Sequence, residues 1–291
     1  SFLGWLDFPK GSWRAIVYPW IDRMILKRLD AVITDSVAIG TELKMREQDP
    51  PVVAIRNGID TRWFDPTRTL TPFSQESFLK GGHFVFGMVG RIHPVKGHLN
   101  FLKAARTLLE THADCRFLIV GTVLPGFEHY RQGLQDFIRE QGLEQSVLIT
   151  HVSLAEIPAV FAGIDVLVAP SFAESFSFTL LEGMAMEKAV VSSEVGGAGE
   201  MITHGETGYL IPVDDVSRLT ETMRMLRAAP EKVREVGLRA RKKIVNDLGI
   251  EAMAARTHQV YRSLIEFKGK TSGGAGDQGR LREQLAMISA K

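Results

Sequence analysis

Two carboxylates eight positions apart, Glu174 and Glu182, lie in the run APSFAESFSFTLLEG that starts at Ala169. Thr179 to Lys188 contains good helix formers, and Leu180, Leu181, Met184 and Ala185 suit one buried side. A helix is therefore expected from near Ser177. That places Glu174 in the loop before it and Glu182 about one turn in. The first-turn amides, around Phe176 to Thr179, have no partner inside the helix and form an anion site. Amides of this kind hold phosphate, and carboxylates accept hydrogen bonds from sugar hydroxyls, so the combination suits a sugar nucleotide. Taken alone, the same spacing also describes a loop acid followed by a solvated helix glutamate.

A second group lies in VGRIHPVKGHLNFLKAA, residues 89–105. Gly90 ends a strand pattern, Arg91 follows it, and Lys96-Gly97 precedes a helix. Arginine as a planar fork and lysine as a point charge can together bring two positive charges to a diphosphate. Surface cations flanking a helix are the plainer alternative. His93 and His98 are expected in a loop and on a helix surface rather than as ligands. Further on, Gly196-Gly197 and Glu200 follow an apolar strand; glycines there permit close backbone approach or positive φ. A tight turn with a surface acid is the alternative reading.

The chain contains no Asp-x-Asp and no His/Cys/Asp cluster at metal-ligand spacing, so no metal and no resident cofactor are expected. Charge on a leaving phosphate would then fall to Arg91, Lys96 and backbone amides. The absence of G-x-G-x-x-G and P-loop sequences counts against dinucleotide oxidoreductases and P-loop ATPases.

The elements that must position these residues alternate. FVFGMVG (84–90), FLIVG (117–121), 147–149 and 165–169 read as strands, with amphipathic helices between them. Continuous apolar strands between such helices imply an α/β fold with a parallel sheet covered on both faces. Ligands bind such sheets at the carboxyl ends of the strands, where Arg91, Gly121 and Glu174 fall. Helical patterns also run over 12–29, 36–44, 217–246 and 250–267.

The chain has 291 residues, 45% hydrophobic and 24% charged, which bounds it as globular with one large or two ordinary domains. Lys+Arg number 35 against 34 Asp+Glu, leaving no global field that favours nucleic acid or an anionic membrane. The single cysteine, Cys115, fits a reducing compartment. No apolar run reaches the roughly 18 residues of a membrane span, and the first residues lack a signal-peptide pattern. A cytoplasmic location is expected. The helix at 12–29, with Trp13, Trp20, Arg23, Lys27 and Arg28, suits either burial or a membrane-surface contact.

These residues together resemble the donor half of the retaining GT-B glycosyltransferases of the family 4 type. The E-x7-E pair is Glu174 and Glu182, the VGR…KG pair is Val89-Gly90-Arg91 with Lys96-Gly97, and GG-x-x-E is Gly196-Gly197 with Glu200. The resemblance covers roughly residues 10–265 and implies a Rossmann-like donor domain. It also implies transfer of a sugar from a nucleotide-diphosphate donor to a glycan, lipid or small-molecule acceptor, with retention of configuration. By the same resemblance, Arg91 and Lys96 stabilise the leaving diphosphate, Glu174 holds the donor sugar and Glu182 the ribose hydroxyls. Gly90, Val152, Phe176, Ser177, Phe178 and Thr179 complete the donor contacts. His151, Gly197 and Glu200 are further candidates, His151 either against the base or as a helix cap. The chain departs from the family at Ser177, where glycine is commoner, near Thr150, where a glycine is missing, and at Arg56, in place of proline.

The expected domains are a remnant of an acceptor domain (1–60), a linker (61–82) and the donor domain (83–248). A helix crossing back (249–267) and a flexible tail (268–291) follow. About 60 residues are few beside the hundred or more usual for a domain. A fragment, inactive by itself, is therefore expected. A nucleotide-sugar epimerase of the same fold and a non-catalytic nucleotide-sugar-binding module are the alternatives.

Overall fold

In a computed structural model, residues 17, 20–21, 24–26, 28–43, 49–269 and 275–289 are described. The helix expected over 12–29 lies largely outside them; of its described residues, Leu26 is buried while Trp20 and Ile25 are exposed. The chain divides into two compact units. One combines residues up to Arg56 with those from Glu251 onward, and the other is continuous, Asn57–Ile250.

The first unit opens with β1 (Val32–Thr34), α1 (Val37–Glu42) and β2 (Val52–Ala54). The two strands pair in parallel, Val32 with Val52 and Thr34 with Ala54. Ser36 starts α1 as expected of a cap: its Oγ accepts from the Ile39 N–H at 3.2 Å.

The second unit runs β3 (Phe84–Val89), α2 (His98–Leu109), β4 (Cys115–Val120), α3 (Glu128–Glu140), β5 (Val147–Thr150) and α4 (Ile157–Ala162). It continues with β6 (Val166–Ala169), α5 (Phe178–Ala185), β7 (Ala189–Ser193), α6 (Ala198–Met201), β8 (Tyr209–Ile211), α7 (Val216–Arg227) and α8 (Pro230–Asp247). All six strands are parallel, in the order β5-β4-β3-β6-β7-β8. This is the doubly wound order, and it reverses direction at β3, between β4 and β6.

Alternate side chains of each strand enter different cores, as the two-residue period of a strand requires. Phe84, Phe86 and Met88 join Phe117 and Ile119 in one cluster, with Phe101, Leu102 and Met223 from the helices. Val85, Leu118 and Val120 join the other, with Phe161, Leu180, Met184 and Ile244. Both faces are therefore buried, which is why these strands are largely apolar.

Four expectations need correction. The stretch 61–82, expected as a linker, contributes Phe64 and Phe73 to the second of these cores. The helix expected over 217–246 is two, because Pro230 has no N–H to continue α7 and instead occupies the first turn of α8. His98, expected on a helix surface, is 1% exposed. The tail expected to be flexible is helical over Ala275–Ser289.

That last segment returns the chain to the first unit. There α9 (Ile250–Gly269) and α10 (Ala275–Ser289) supply Val260, Leu281, Leu285 and Ile288, which bury Val53 and Ile55. The i, i+4 spacing of Leu281 and Leu285 presents them on one face, and Ser289 Oγ accepts from the Ala54 N–H at 3.0 Å.

Candidate functional site

The site grows from the tips of β3, β4 and β5. Beyond the strand ends, the Gly90 N–H donates to the Val120 carbonyl and the Gly121 N–H to the Thr150 carbonyl, both at 2.9 Å. The Ile92 N–H then donates to Thr122 O at 2.9 Å. These bonds hold the loops after the three strands side by side and set Arg91 on the rim, exposed to solvent.

After Arg91 the chain makes a short 3-10 turn, Pro94–Lys96. His93 caps it, with Nδ1 accepting from the Val95 N–H at 3.2 Å, and its ring rests 4.2 Å from that of Phe127. Gly97 closes the turn at φ 75°, and a Cβ there would come within 2.0 Å of the Pro170 carbonyl oxygen. The Phe172 N–H donates to Val95 O at 2.7 Å. The turn after β3 is thereby fastened to the loop after β6, and Lys96 Nζ forms an ion pair with the Glu174 carboxylate. Both side chains are about four-fifths shielded, at 18% and 23% exposure, where such a pair is screened less than on an open surface. His98 packs behind this turn, its ring edge-on to Tyr130 at 6.0 Å. Burial pushes its imidazole down to about 4, so it is neutral at neutral pH.

The loop after β6 leads into α5. Ser177 is the N-cap, its Oγ accepting from the Leu180 N–H at 3.4 Å. The hydroxyl at the position where a glycine was expected therefore serves the helix locally. Phe176 is buried at 2% exposure and Phe178 faces out at 52%. The backbone of Glu174 and Ser175 is backed by Gly196 and Gly197. The Gly197 N–H donates to Ser175 O at 2.7 Å, and a Cβ on Gly196 would lie 1.8 Å from Glu174 O. Glu200 follows in the first turn of α6, half-buried.

A cleft of about 480 Å³ opens where the strand order reverses. Gly90, Arg91, His151, Val152, Thr179 and Glu182 all line it, so six of the expected residues meet there. Burial pushes the Glu182 carboxyl up to about 7. Lys96 and Glu174 pair beside it rather than within it. Glu174 and Ser177 line a narrow gap of about 10 Å³ with Ser171, Ser192 and Ala198. Gly197 and Glu200 do not line the cleft. His151 does not cap the next helix; Ser153 does, in a capping box with Glu156.

The sequence reading missed Trp63, Phe64, Thr122, Leu154 and Ile157, which also line the cleft. Trp63 and Phe64 lie in the stretch expected as a linker, where no periodic pattern pointed to them. Among the described residues, no group of three or more His, Cys, Asp and Glu is placed to hold a metal ion. No helix among them is long and apolar enough to cross a membrane.

The residues from 71 to 243 match the model of the family described as "Glycosyl transferases group 1". The chain belongs to this glycosyltransferase family. It is 29% identical over 246 residues to the lipopolysaccharide core biosynthesis mannosyltransferase LpcC of Rhizobium leguminosarum bv. viciae. That match covers 84% of this chain and 67% of the mannosyltransferase, so the chain spans about two thirds of that relative. Among solved structures it is similar to Anabaena Alr3699/HepE in complex with UDP, at a TM-score of 0.75 and 22% identity. That alignment covers 88% of this chain and 70% of HepE. The C-terminal domain of LpcC from Francisella tularensis, a glycosyl transferase group 1 protein, is matched over its full length and 66% of this chain, at 0.59 and 24% identity. These likenesses carry the GT-B fold that the glycosyltransferase resemblance implied.

Proposed function

We propose that this glycosyltransferase chain binds a nucleoside-diphosphate sugar in the Glu182 cleft. In the whole protein that sugar passes to an acceptor with retention of configuration. The carrying observation is the cleft itself. It sits where a doubly wound sheet binds nucleotides, and it combines a rim arginine, the first turn of α5 and a shielded carboxylate. Glu182 then accepts from ribose hydroxyls. The Lys96–Glu174 pair sets a cation for phosphate next to an acceptor for sugar hydroxyls. Charge developing on the leaving diphosphate is met by Arg91, Lys96 and the amides near Phe178. HepE, of the same fold, is solved with UDP bound, which supports a uridine nucleotide as the first to try. Retention of configuration and independence from divalent metal rest on the family 4 resemblance and on these cations.

Melting the chain with UDP, GDP and ADP tests the donor reading. One nucleotide should raise Tm, following RT ln(1 + [L]/Kd), and Glu182→Ala should reduce the shift. No shift by any of them at millimolar concentration would remove the reading. Proton NMR of the linkage made by the whole protein, with and without EDTA, checks the finer statements. An inverted product contradicts retention, and loss of activity restored by magnesium contradicts the assignment to Arg91 and Lys96.

A further inference from the structure

We infer that Trp63 is the stacking platform for the base of the nucleotide, an inference that rests on the donor reading of the cleft. Trp63 lines the cleft yet keeps 41% of its surface exposed. What sets it apart from the other exposed aromatics is that its open surface belongs to the cleft wall and that hydrogen bonds hold its backbone in place. Asp60 Oδ1 accepts from both the Arg62 N–H, at 2.9 Å, and the Trp63 N–H, at 3.3 Å. At the other end of the residue, the Arg68 guanidinium donates to the Trp63 carbonyl at 3.0 Å. The same guanidinium lies over the indole, 4.4 Å from its centroid. One face of the ring is thus occupied by a cation, and the backbone on both sides is tied.

The next residue fixes the segment to the rest of the unit. Phe64 meets Phe161 of α4 edge-on at 6.2 Å, and its carbonyl accepts from Arg241 at 2.9 Å. Arg241 also bonds the Ala185 carbonyl and pairs with Asp65 at 3.3 Å. Ile157, one helical turn before Phe161, lines the cleft together with Leu154, which is 84% exposed. This wall is apolar and aromatic, and it adjoins His151 and Val152 at the end of β5. The acidic and cationic groups, Glu182 and Arg91, come from α5 and the tip of β3. The cleft therefore offers hydrogen-bond and charge partners from one set of elements and an apolar, aromatic surface from another. A nucleotide has the same division, with phosphates and ribose at one end and a planar base at the other. A ring carried on a backbone already tied loses less freedom when the base stacks on it.

The test uses the whole chain, titrated with UDP, GDP, ADP and inorganic pyrophosphate. The nucleotide that binds the wild type should bind Trp63→Ala about tenfold more weakly, the range expected for loss of one base–aromatic stack. Pyrophosphate, which has no base, should bind both forms equally, and Trp63→Phe should recover most of the affinity. Nucleotide should also quench tryptophan fluorescence in the wild type and not in Trp63→Phe, a readout that a purely structural role would leave unmoved. If Trp63→Ala binds the nucleotide as tightly as the wild type, the platform is wrong and the donor site stands. If it loses pyrophosphate equally, Trp63 acts on the fold, and the inference is likewise overturned. If the wild type binds none of the nucleotides, the donor reading fails and the platform fails with it.

Discussion

The Glu182 carboxyl, ordinarily near 4.5, is pushed up to about 7 because burial disfavours its charged form. The sign of the consequence is definite. Between about pH 4.5 and 7 the unfolded chain releases this proton while the folded chain keeps it. Stability therefore falls as pH rises through that window and is level above it. A shift of this size corresponds to roughly 3 to 4 kcal/mol at most, since each unit is about 1.4 kcal/mol. Glu182→Gln should thus match the wild type near pH 4.5 and be more stable by up to that amount near pH 8. Urea melts of both forms at the two pH values measure it; equal stability at pH 8 would mean the carboxylate is not strained. A group kept at this cost beside a cleft is a candidate for function on physical grounds alone. The residue type and spacing were legible in the sequence, as were Arg91, Lys96 and Glu174. That Lys96 would pair with Glu174 was not, because 78 positions separate them and the Gly97–Pro170 approach and the Phe172–Val95 hydrogen bond bring them together.

Among the elements, the turn after β7 carries more than its length suggests. Gly196 has φ 50°, and a side chain there would drive into the Glu174 carbonyl. Gly196→Ala should cost about 2 kcal/mol or more in strain, lowering Tm by several degrees in a unit of this size. Because the displaced backbone belongs to Glu174, nucleotide-sugar affinity should fall further than affinity for the nucleotide alone. Paired melts and titrations check both; an unchanged Tm would show that the loop yields freely. The Gly-Gly signal was visible in the sequence, but its partner loop was not. The helix carrying Glu182 was legible because its formers and apolar face coincide. The 217–246 pattern misled because apolar spacing persists across Pro230, whereas the backbone cannot. The 57–64 segment was illegible for another reason. Its shape comes from Asp60 side-chain bonds, and its value from Arg68 and Arg241, neither of which leaves a periodic trace.

For the whole molecule, the alternation of strand and helix announced the parallel sheet, and the sheet fixes where the cleft lies. The unit that contains it, Asn57–Ile250, starts and ends at one place. The Ile59 N–H donates to Leu248 O, and the Ile250 N–H returns to Ile59 O, both at 3.0 Å. Residues 57–250 expressed alone should melt cooperatively and keep the nucleotide affinity of the whole chain. Loss of the cooperative transition, or of binding that the whole chain retains, would show that the unit depends on the rest. The solved C-terminal domain of the Francisella protein, matched over its full length, is a separate unit of this fold. A unit whose two ends are hydrogen-bonded neighbours is close to a ring. Joining 250 to 57 by a short linker and cutting at the exposed Gly126 would yield a circular permutant. Its strands would follow one another in a new order, yet β3 and β6 would still meet around the same cleft.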